Sequence, residues 1–160
     1  MTDQSAPSTT RVFPGASDIL EASVYVEDLD AAERFYGQTL GFRTIARVGN
    51  RHVFFRFRNS VLLVFNPAET RQPPGNPELP VPAHGSSGEG HVCFVASASD
   101  LDRWREHFEA QAIPVEADFL WPNGCRSIYI RDPSGNSVEF SERGLWFGET
   151  DANSLGERQP

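Results

Sequence analysis

The chain repeats one order of predicted elements, and this internal repeat restricts its fold more than any other feature of the sequence. A strand, an amphipathic helix and three further strands occur at residues 17–66 and again at residues 91–147. The helix start recurs too, since Asp28 and Asp100 are each followed by a leucine. Matches that keep a common order and a near-constant separation indicate a duplicated unit. The sequence therefore predicts an α+β domain of two tandem βαβββ modules.

The first copy shows the periodicity expected of each element. At residues 19–26 the even positions are all apolar, which predicts a strand with one buried face and places Glu21 on the other face. Asp28 is a suitable N-cap for the following helix, and Gly41 is a suitable C-cap. We expect three further strands in this copy, at residues 43–48, 52–58 and 61–65.

The second copy repeats this order. Its first strand is expected at residues 91–95, and Ser99 or Asp100 is expected to cap its helix. The last two strands are separated by Asp-Pro-Ser-Gly-Asn at residues 132–136, a combination that strongly favours a turn. The predicted strands that follow the helix lie at residues 115–120, 126–131 and 137–141.

The segment between the copies has a different composition from both. Residues 66–90 contain six prolines and four glycines, so we expect no regular structure there and interpret residues 67–90 as a linker loop. The polar ends, residues 1–15 and 149–160, have no periodicity and are expected to be disordered tails. Residues 16–148 are then one domain.

Charge and composition exclude several classes of function. The net charge of −8 argues against binding to nucleic acid or to anionic membranes, because both need a basic surface. No apolar run is long enough to span a bilayer and the N-terminus has no signal-peptide core, so we expect a cytoplasmic protein. Cys93 and Cys125 lack the spacing of a metal or redox pair, and we expect two buried thiols.

Residues of metal-ligand type occupy corresponding positions in the two copies. A duplicated unit places the first and last strands of each copy around a pseudo-twofold axis, so we expect Glu21, Leu62, His91 and Glu139 to converge. Two carboxylates and an imidazole suit Mn²⁺, Fe²⁺, Zn²⁺ or Mg²⁺. Three protein ligands leave positions open for substrate, as catalytic metal sites do.

Each of these three residues has a structural alternative. Glu139 could form a salt bridge to Arg126 or Arg131 on the neighbouring strand. His91 could be a hydrogen-bonded structural residue. Glu21 could pair with an arginine, or act as a base rather than as a ligand.

Five further residues are candidates for substrate binding. Ser127 and Tyr129 share one face of the penultimate strand, and hydroxyl groups on that face suit a polar pocket. Arg56 on the equivalent strand of the first copy could anchor an anionic ligand, although a solvated charge explains it equally well. His84 precedes the second copy and is expected at the pocket rim, and Trp121 could form a wall of the pocket.

Three segments carry a resemblance to a known family. They are Ile-Leu-Glu-Ala-Ser-Val-Tyr-Val-Glu-Asp-Leu at residues 19–29, Phe-Tyr-Gly-Gln-Thr-Leu-Gly-Phe at residues 35–42, and Ile-Arg-Asp-Pro-Ser-Gly-Asn-Ser-Val-Glu-Phe at residues 130–140. In these segments the chain resembles the vicinal oxygen chelate superfamily. That superfamily includes glyoxalase I, methylmalonyl-CoA epimerase, extradiol dioxygenases, fosfomycin-resistance enzymes and bleomycin-resistance proteins.

The resemblance implies that the modules form an open, cup-shaped mixed sheet holding a divalent metal, and that the protein is a homodimer. The family's metal positions fall on Glu21, Leu62, His91 and Glu139. Glu21 departs from the His common at the first position. Leu62 stands where glyoxalase I and the epimerase carry Glu or Gln, which counts against both activities.

Two hypotheses follow. The first is a metal-dependent enzyme in which Glu21, His91 and Glu139 hold the cation and a carboxylate, Glu21 or Glu139, moves a proton. Its small-molecule substrate would chelate the metal through adjacent oxygens, in lyase, isomerase or dioxygenase chemistry. The alternative is a metal-free binding protein of the bleomycin-resistance type, because an acidic, aromatic cleft suits a cationic drug.

Overall fold

The computed structural model describes residues 15–16 and 18–148. Apart from Gly15, both predicted tails lie outside the described residues. No helix in the described part of the chain is both long and apolar enough to cross a membrane.

The first module contains four strands and one helical segment. Asp28 caps helix α1 by accepting a 2.9 Å hydrogen bond from the backbone N–H of Ala31. The predicted single α-helix is wrong in its second half, which is a π-helical turn in which the Leu40 N–H donates to the Phe35 carbonyl five residues back. The elements are β1 (Glu21–Tyr25), α1 (Leu29–Glu33), the π-turn (Arg34–Thr39), β2 (Arg43–Val48), β3 (His52–Arg56) and β4 (Val61–Phe65).

The linker begins with a short helix, α2 (Pro67–Thr70), where no regular structure was predicted. Asn66 caps it by accepting a 2.9 Å hydrogen bond from the Ala68 N–H, and Pro67 at the first helical position has no N–H to leave unpaired. Local capping therefore overcomes the proline-rich composition at this one point.

The second module repeats the order of the first. The cap of helix α3 is Ser97, whose hydroxyl accepts a hydrogen bond from the Asp100 N–H, so the predicted cap at Ser99 or Asp100 is wrong by two or three residues. The elements are β5 (His91–Val95), α3 (Ala98–Ala110), β6 (Ala117–Leu120), β7 (Arg126–Arg131), β8 (Ser137–Ser141) and a 3₁₀ turn (Arg143–Leu145).

The strands form two four-stranded mixed sheets of identical topology. Their orders are β1-β4-β3-β2 and β5-β8-β7-β6, and in each sheet the first and last strands of the module pair in parallel. A parallel pair needs a crossover connection, which the helix of each module contributes to. The predicted fold class, two βαβββ modules in an open mixed-sheet arrangement, is confirmed.

One hydrophobic core joins the helices and one face of each sheet. Tyr36 and Phe108 from the helical segments pack with strand residues such as Phe55 and Ile128, and all four are fully buried. Burial of each large apolar side chain contributes about 1.5–3 kcal/mol. Because strand side chains alternate, the intervening residues lie on the opposite face of each sheet, which we call the open face.

Candidate functional site

The candidate site lies on the open face of the second sheet and is centred on Glu139. Its neighbours on β8, Val138 and Phe140, are buried in the core, so Glu139 projects from the other side of the strand. The side chain is nevertheless only 6% exposed. A carboxylate this deeply buried requires polar partners to offset the loss of hydration.

Ser127 and His91 supply two of those partners. The Ser127 hydroxyl donates a 2.6 Å hydrogen bond to Glu139 Oε1, and His91 Nε2 lies 3.3 Å from Glu139 Oε2. The two oxygens of the carboxylate therefore have different environments. Oε1 is held by a buried hydroxyl, whereas Oε2 faces an imidazole that is 52% exposed.

Trp121 extends this arrangement by one residue. Its indole Nε1–H donates a 2.8 Å hydrogen bond to Ser127 Oγ, so Trp121, Ser127 and Glu139 form a chain of hydrogen bonds. Ser141 Oγ lies 2.9 Å from Ser127 Oγ and completes the surroundings of that hydroxyl. Ser127 thus orients the carboxylate and is itself fixed by two neighbours.

Glu139 also perturbs the acidic groups beside it. Desolvation, hydrogen bonding to Glu139 and the charge of Glu139 raise the pKa of Tyr129 to about 12. Desolvation and the charge of Glu139 raise the pKa of the Cys93 thiol to about 12. Near neutral pH both groups are therefore protonated, and Cys93 is not a thiolate nucleophile.

The structure excludes one structural alternative for Glu139 within the described residues. Arg126 pairs with Asp118 and Asp102, at 2.7 Å and 2.6 Å. Arg131 pairs with Glu116 and Glu89, at 2.7 Å and 3.3 Å. Neither arginine forms a salt bridge with Glu139, because each is occupied by carboxylates from other elements.

Three predicted site residues lie instead on the open face of the first sheet. Glu21 is exposed at the start of β1, and Arg56 lies two strands away on the same face. His84 folds back from the linker, where its Nδ1 hydrogen-bonds the Tyr25 hydroxyl at 2.7 Å and its ring packs edge-on to Phe65 at 4.6 Å. The alternative that Glu21 pairs with an arginine finds no support, since no arginine forms a salt bridge with it among the described residues.

Strand register corrects the predicted equivalence of the two modules. Glu21 and His91 each open their strand, and Ser23 and Cys93 follow two residues later. Cys93 pairs with Glu139, whereas Ser23 pairs with Leu63, so the residue equivalent to Glu139 is Leu63 and not Leu62. Leu62 is 2% exposed and belongs to the core. The prediction that Leu62 converges with the metal ligands is therefore wrong. The residue that does correspond to Glu139, Leu63, is also a leucine and cannot bind a metal.

Two residues of the site were missed or misplaced by the sequence reasoning. Cys93 was expected to be buried, but it is exposed, because β5 is an edge strand and Cys93 lies on its open face; Cys125 is only half-buried. Phe119 packs parallel to Tyr129 with ring centroids 6.0 Å apart and contacts Trp121 at 5.0 Å. Its alternation with Trp121 along the chain is the signal that could have found it.

Comparison with known proteins agrees with this architecture. The family model of the Glyoxalase/Bleomycin resistance protein/Dioxygenase superfamily matches residues 18–140. The chain belongs to this superfamily. The resemblance stated from its three sequence segments is thereby confirmed.

Individual members of the superfamily match over most of their length. A crystal structure of lactoylglutathione lyase from Agrobacterium tumefaciens is 44% identical, with a TM-score of 0.78, and the match covers 83% of this chain and 98% of that one. The virulence protein STM3117 of Salmonella typhimurium is 29% identical over 125 residues, 73% of this chain and 78% of that protein. A Nocardioides member of the superfamily is 22% identical with a TM-score of 0.62, over 82% of this chain and 86% of that one, which shows the fold alone.

The residues present fit a divalent cation in part. His91 Nε2 and Glu139 Oε2 are close enough to share an ion, and Ser127 supports the carboxylate from behind, as outer-shell partners of metal ligands do. No group of three His, Cys, Asp or Glu side chains able to hold a metal occurs among residues 15–16 and 18–148. Glu21 is therefore not beside the pair within one chain, and a catalytic site with three protein ligands needs a further ligand from elsewhere.

Proposed function

We propose that the protein is a metal-dependent enzyme acting on a small substrate that presents two adjacent oxygens to the cation. The observation that carries this proposal is the buried Glu139 carboxylate, with one oxygen held by Ser127 and the other facing His91. A carboxylate and an imidazole are a suitable ligand pair for Mn²⁺, Fe²⁺ or Zn²⁺.

We propose that the third ligand is Glu21 of a second copy of the chain in a homodimer. Glu21 occupies the position in the first module that His91 occupies in the second, and it is exposed at a strand start. It has no salt-bridge partner among the described residues, so it is free to bind elsewhere. The pseudo-twofold relation of the modules makes a symmetric exchange between two chains the simplest way to complete the site.

The protein's own residues would then divide the chemistry. When bound, the cation would polarise a substrate carbonyl as a Lewis acid. Glu139 Oε1 is engaged by Ser127, so this carboxylate is fixed in orientation. Glu21 lacks such a partner and is the better placed of the two carboxylates to accept a proton from the substrate carbon next to the carbonyl. Tyr129 and Cys93, both protonated, line the same face.

Lyase or isomerase chemistry is favoured over dioxygenase chemistry. The support is the 44% identity to the Agrobacterium protein named lactoylglutathione lyase. Lactoylglutathione carries a hydroxyl and a thioester carbonyl on adjacent carbons, which matches the requirement for neighbouring oxygens. Leu63 at the fourth position means that any such activity would operate with three protein ligands rather than four.

Elemental analysis of the purified protein tests the proposal. We expect a tightly bound divalent metal that is lost in His91→Ala, Glu139→Ala and Glu21→Ala variants. It should remain in Glu109→Ala, which removes an exposed carboxylate on α3. Metal-free protein that gains no thermal stability from Mn²⁺, Fe²⁺ or Zn²⁺ would contradict the proposal, because a ligand that binds only the native state raises its stability.

A metal-free drug-binding protein is the second candidate, and the open face of the first sheet supports it. His52 and Phe54 stack there at 4.2 Å, and Phe65 and Tyr25 extend the aromatic surface. With a net charge of −8, such a surface suits a planar cation. Fluorescence titration with bleomycin in the presence of a chelator distinguishes this candidate, since the enzyme proposal expects no saturable binding.

A further inference from the structure

Two arginines lie directly opposite each other on the open face of the first sheet. Arg43 on β2 pairs in register with Arg56 on β3, and both side chains are exposed. Phe55, the neighbour of Arg56, is fully buried in the core, so Arg56 and its cross-strand partner project from the opposite side. Like charges placed directly across a strand pair destabilise a sheet. The arginine pair therefore destabilises the sheet, and folding gives no reason for its presence.

Neither arginine has an acidic partner within residues 15–16 and 18–148. The salt bridges among the described residues use other arginines, including Arg47, Arg126 and Arg131, and none involves Arg43 or Arg56. Other described arginines, such as Arg34 and Arg58, also lack a salt bridge, so the direct cross-strand register is what sets Arg43 and Arg56 apart. Two unpaired guanidinium groups side by side form a local positive site within a negative protein, with donors suited to bidentate binding of an oxyanion.

We propose that Arg43 and Arg56 bind an oxyanion, a carboxylate or phosphate group of the substrate. Binding of an oxyanion by the two arginines does not depend on the proposed function. Only the statement that the oxyanion belongs to the substrate rests on it. Arg56 is in register with Val61, and Val61 with Glu21, so two strand spacings of roughly 10 Å separate Glu21 from Arg56 on one face. The substrate class is thus a small molecule with an anionic group roughly 10 Å from its two adjacent oxygens.

Thermal unfolding of chelator-treated protein at constant ionic strength tests the site without any metal. Inorganic phosphate and acetate are titrated separately. At least one of the two ions should raise the melting temperature of the wild type. Arg43→Gln and Arg56→Gln should need roughly tenfold more anion for half of the shift, as loss of a charged hydrogen bond predicts. The control is Arg103→Gln, which removes an exposed arginine on α3 that pairs with Asp100.

The same experiment contains a second readout. Without any anion, Arg56→Gln should melt no lower than the wild type, because the substitution relieves repulsion from Arg43. A lower melting temperature without anion would make Arg56 a structural residue and overturn the proposal. So would no shift with either ion, or equal shifts in the variants and in Arg103→Gln. Metal content is measured separately, so loss of this proposal leaves the metal proposal standing, and the reverse also holds.

Discussion

The hydroxyl of Tyr36 in the first module donates a 2.9 Å hydrogen bond to the Asp132 carboxylate in the second. Both residues are buried. Asp132 also accepts hydrogen bonds from the backbone N–H groups of Ser134 and Asn136 and from the Asn136 side chain, which in turn donates to the Tyr25 carbonyl. The Asp-Pro-Ser-Gly-Asn turn is therefore a buried polar link between modules as well as a turn.

Removing the hydroxyl in Tyr36→Phe should destabilise the fold. A hydrogen bond to a charged group contributes roughly 1.5–3 kcal/mol, and the ring itself would stay packed. Urea denaturation measures the change in the free energy of unfolding. Tyr25→Phe is the control, since its partner is the part-buried His84. If Tyr36→Phe and Tyr25→Phe lowered the free energy of unfolding equally, the hydrogen bond between the modules would contribute no more than an ordinary tyrosine hydrogen bond.

Stability should fall at alkaline pH. Burial and the nearby Asp132 raise the pKa of Tyr36 well above its ordinary value, and the pKa values of Tyr129 and Cys93 rise to about 12. Each stabilising contribution is complete below the ordinary pKa, 10.0 for Tyr and 9.0 for Cys, and is lost as the pH rises toward the folded-state value. The unfolded chain releases these protons first, so stability declines above about pH 9. Melting temperatures measured between neutral and alkaline pH check this, and Tyr36→Phe should weaken the decline.

Ser127→Ala should weaken metal binding without removing a ligand. The variant frees Glu139 Oε1 from its 2.6 Å hydrogen bond, and loss of an outer-shell partner typically reduces metal affinity about 10- to 100-fold. Competition with a chromophoric chelator measures the affinity. Ser141→Ala is the matched control, because Ser141 contacts Ser127 and not Glu139. If both variants lost the same metal affinity, the cause would be disturbed packing and not the lost hydrogen bond to Glu139.

Gly90→Ala should disturb the start of the second module. A Cβ at this position would come within 3.0 Å of Asn136 Oδ1, the atom that accepts the Gly90 N–H at 2.7 Å. Overpacking of this kind costs about 1–3 kcal/mol. Gly75→Ala, which meets no atom within 4 Å, should be neutral in the same denaturation experiment. A neutral Gly90→Ala would mean that Asn136 moves freely.

The strands were the most predictable part of the fold. Period-two alternation identified the first strand, and strand-like runs between turn residues, together with the repeat of the first copy, identified the other seven. The Leu62 assignment failed for the opposite reason. Matching Asn-Ser-Val in the two copies assumed equal turns, whereas the turns before β4 and β8 hold the tripeptide in different registers.

Partnerships across the fold were not predictable from spacing. The number of residues between His91 and Glu139 does not predict that they are in contact. Their proximity was predicted only from the duplication of the module. The carboxylates that occupy Arg126 come from α3 and β6, elements whose positions relative to β7 depend on packing. The Ser97 cap was missed because Ser97, Ser99 and Asp100 are all acceptable caps, and the capping geometry decides among them.

The distance between Glu21 and the His91–Glu139 pair within one chain has a genetic consequence. Under the proposed arrangement, a dimer of a Glu21→Ala chain with a Glu139→Ala chain contains one site that lacks both ligands and one that lacks neither. Two inactive proteins would therefore restore activity when they are co-expressed, in up to half of the sites of each mixed dimer. A site confined to a single chain could never be repaired in this way, so complementation between alleles would reveal which chain each ligand comes from.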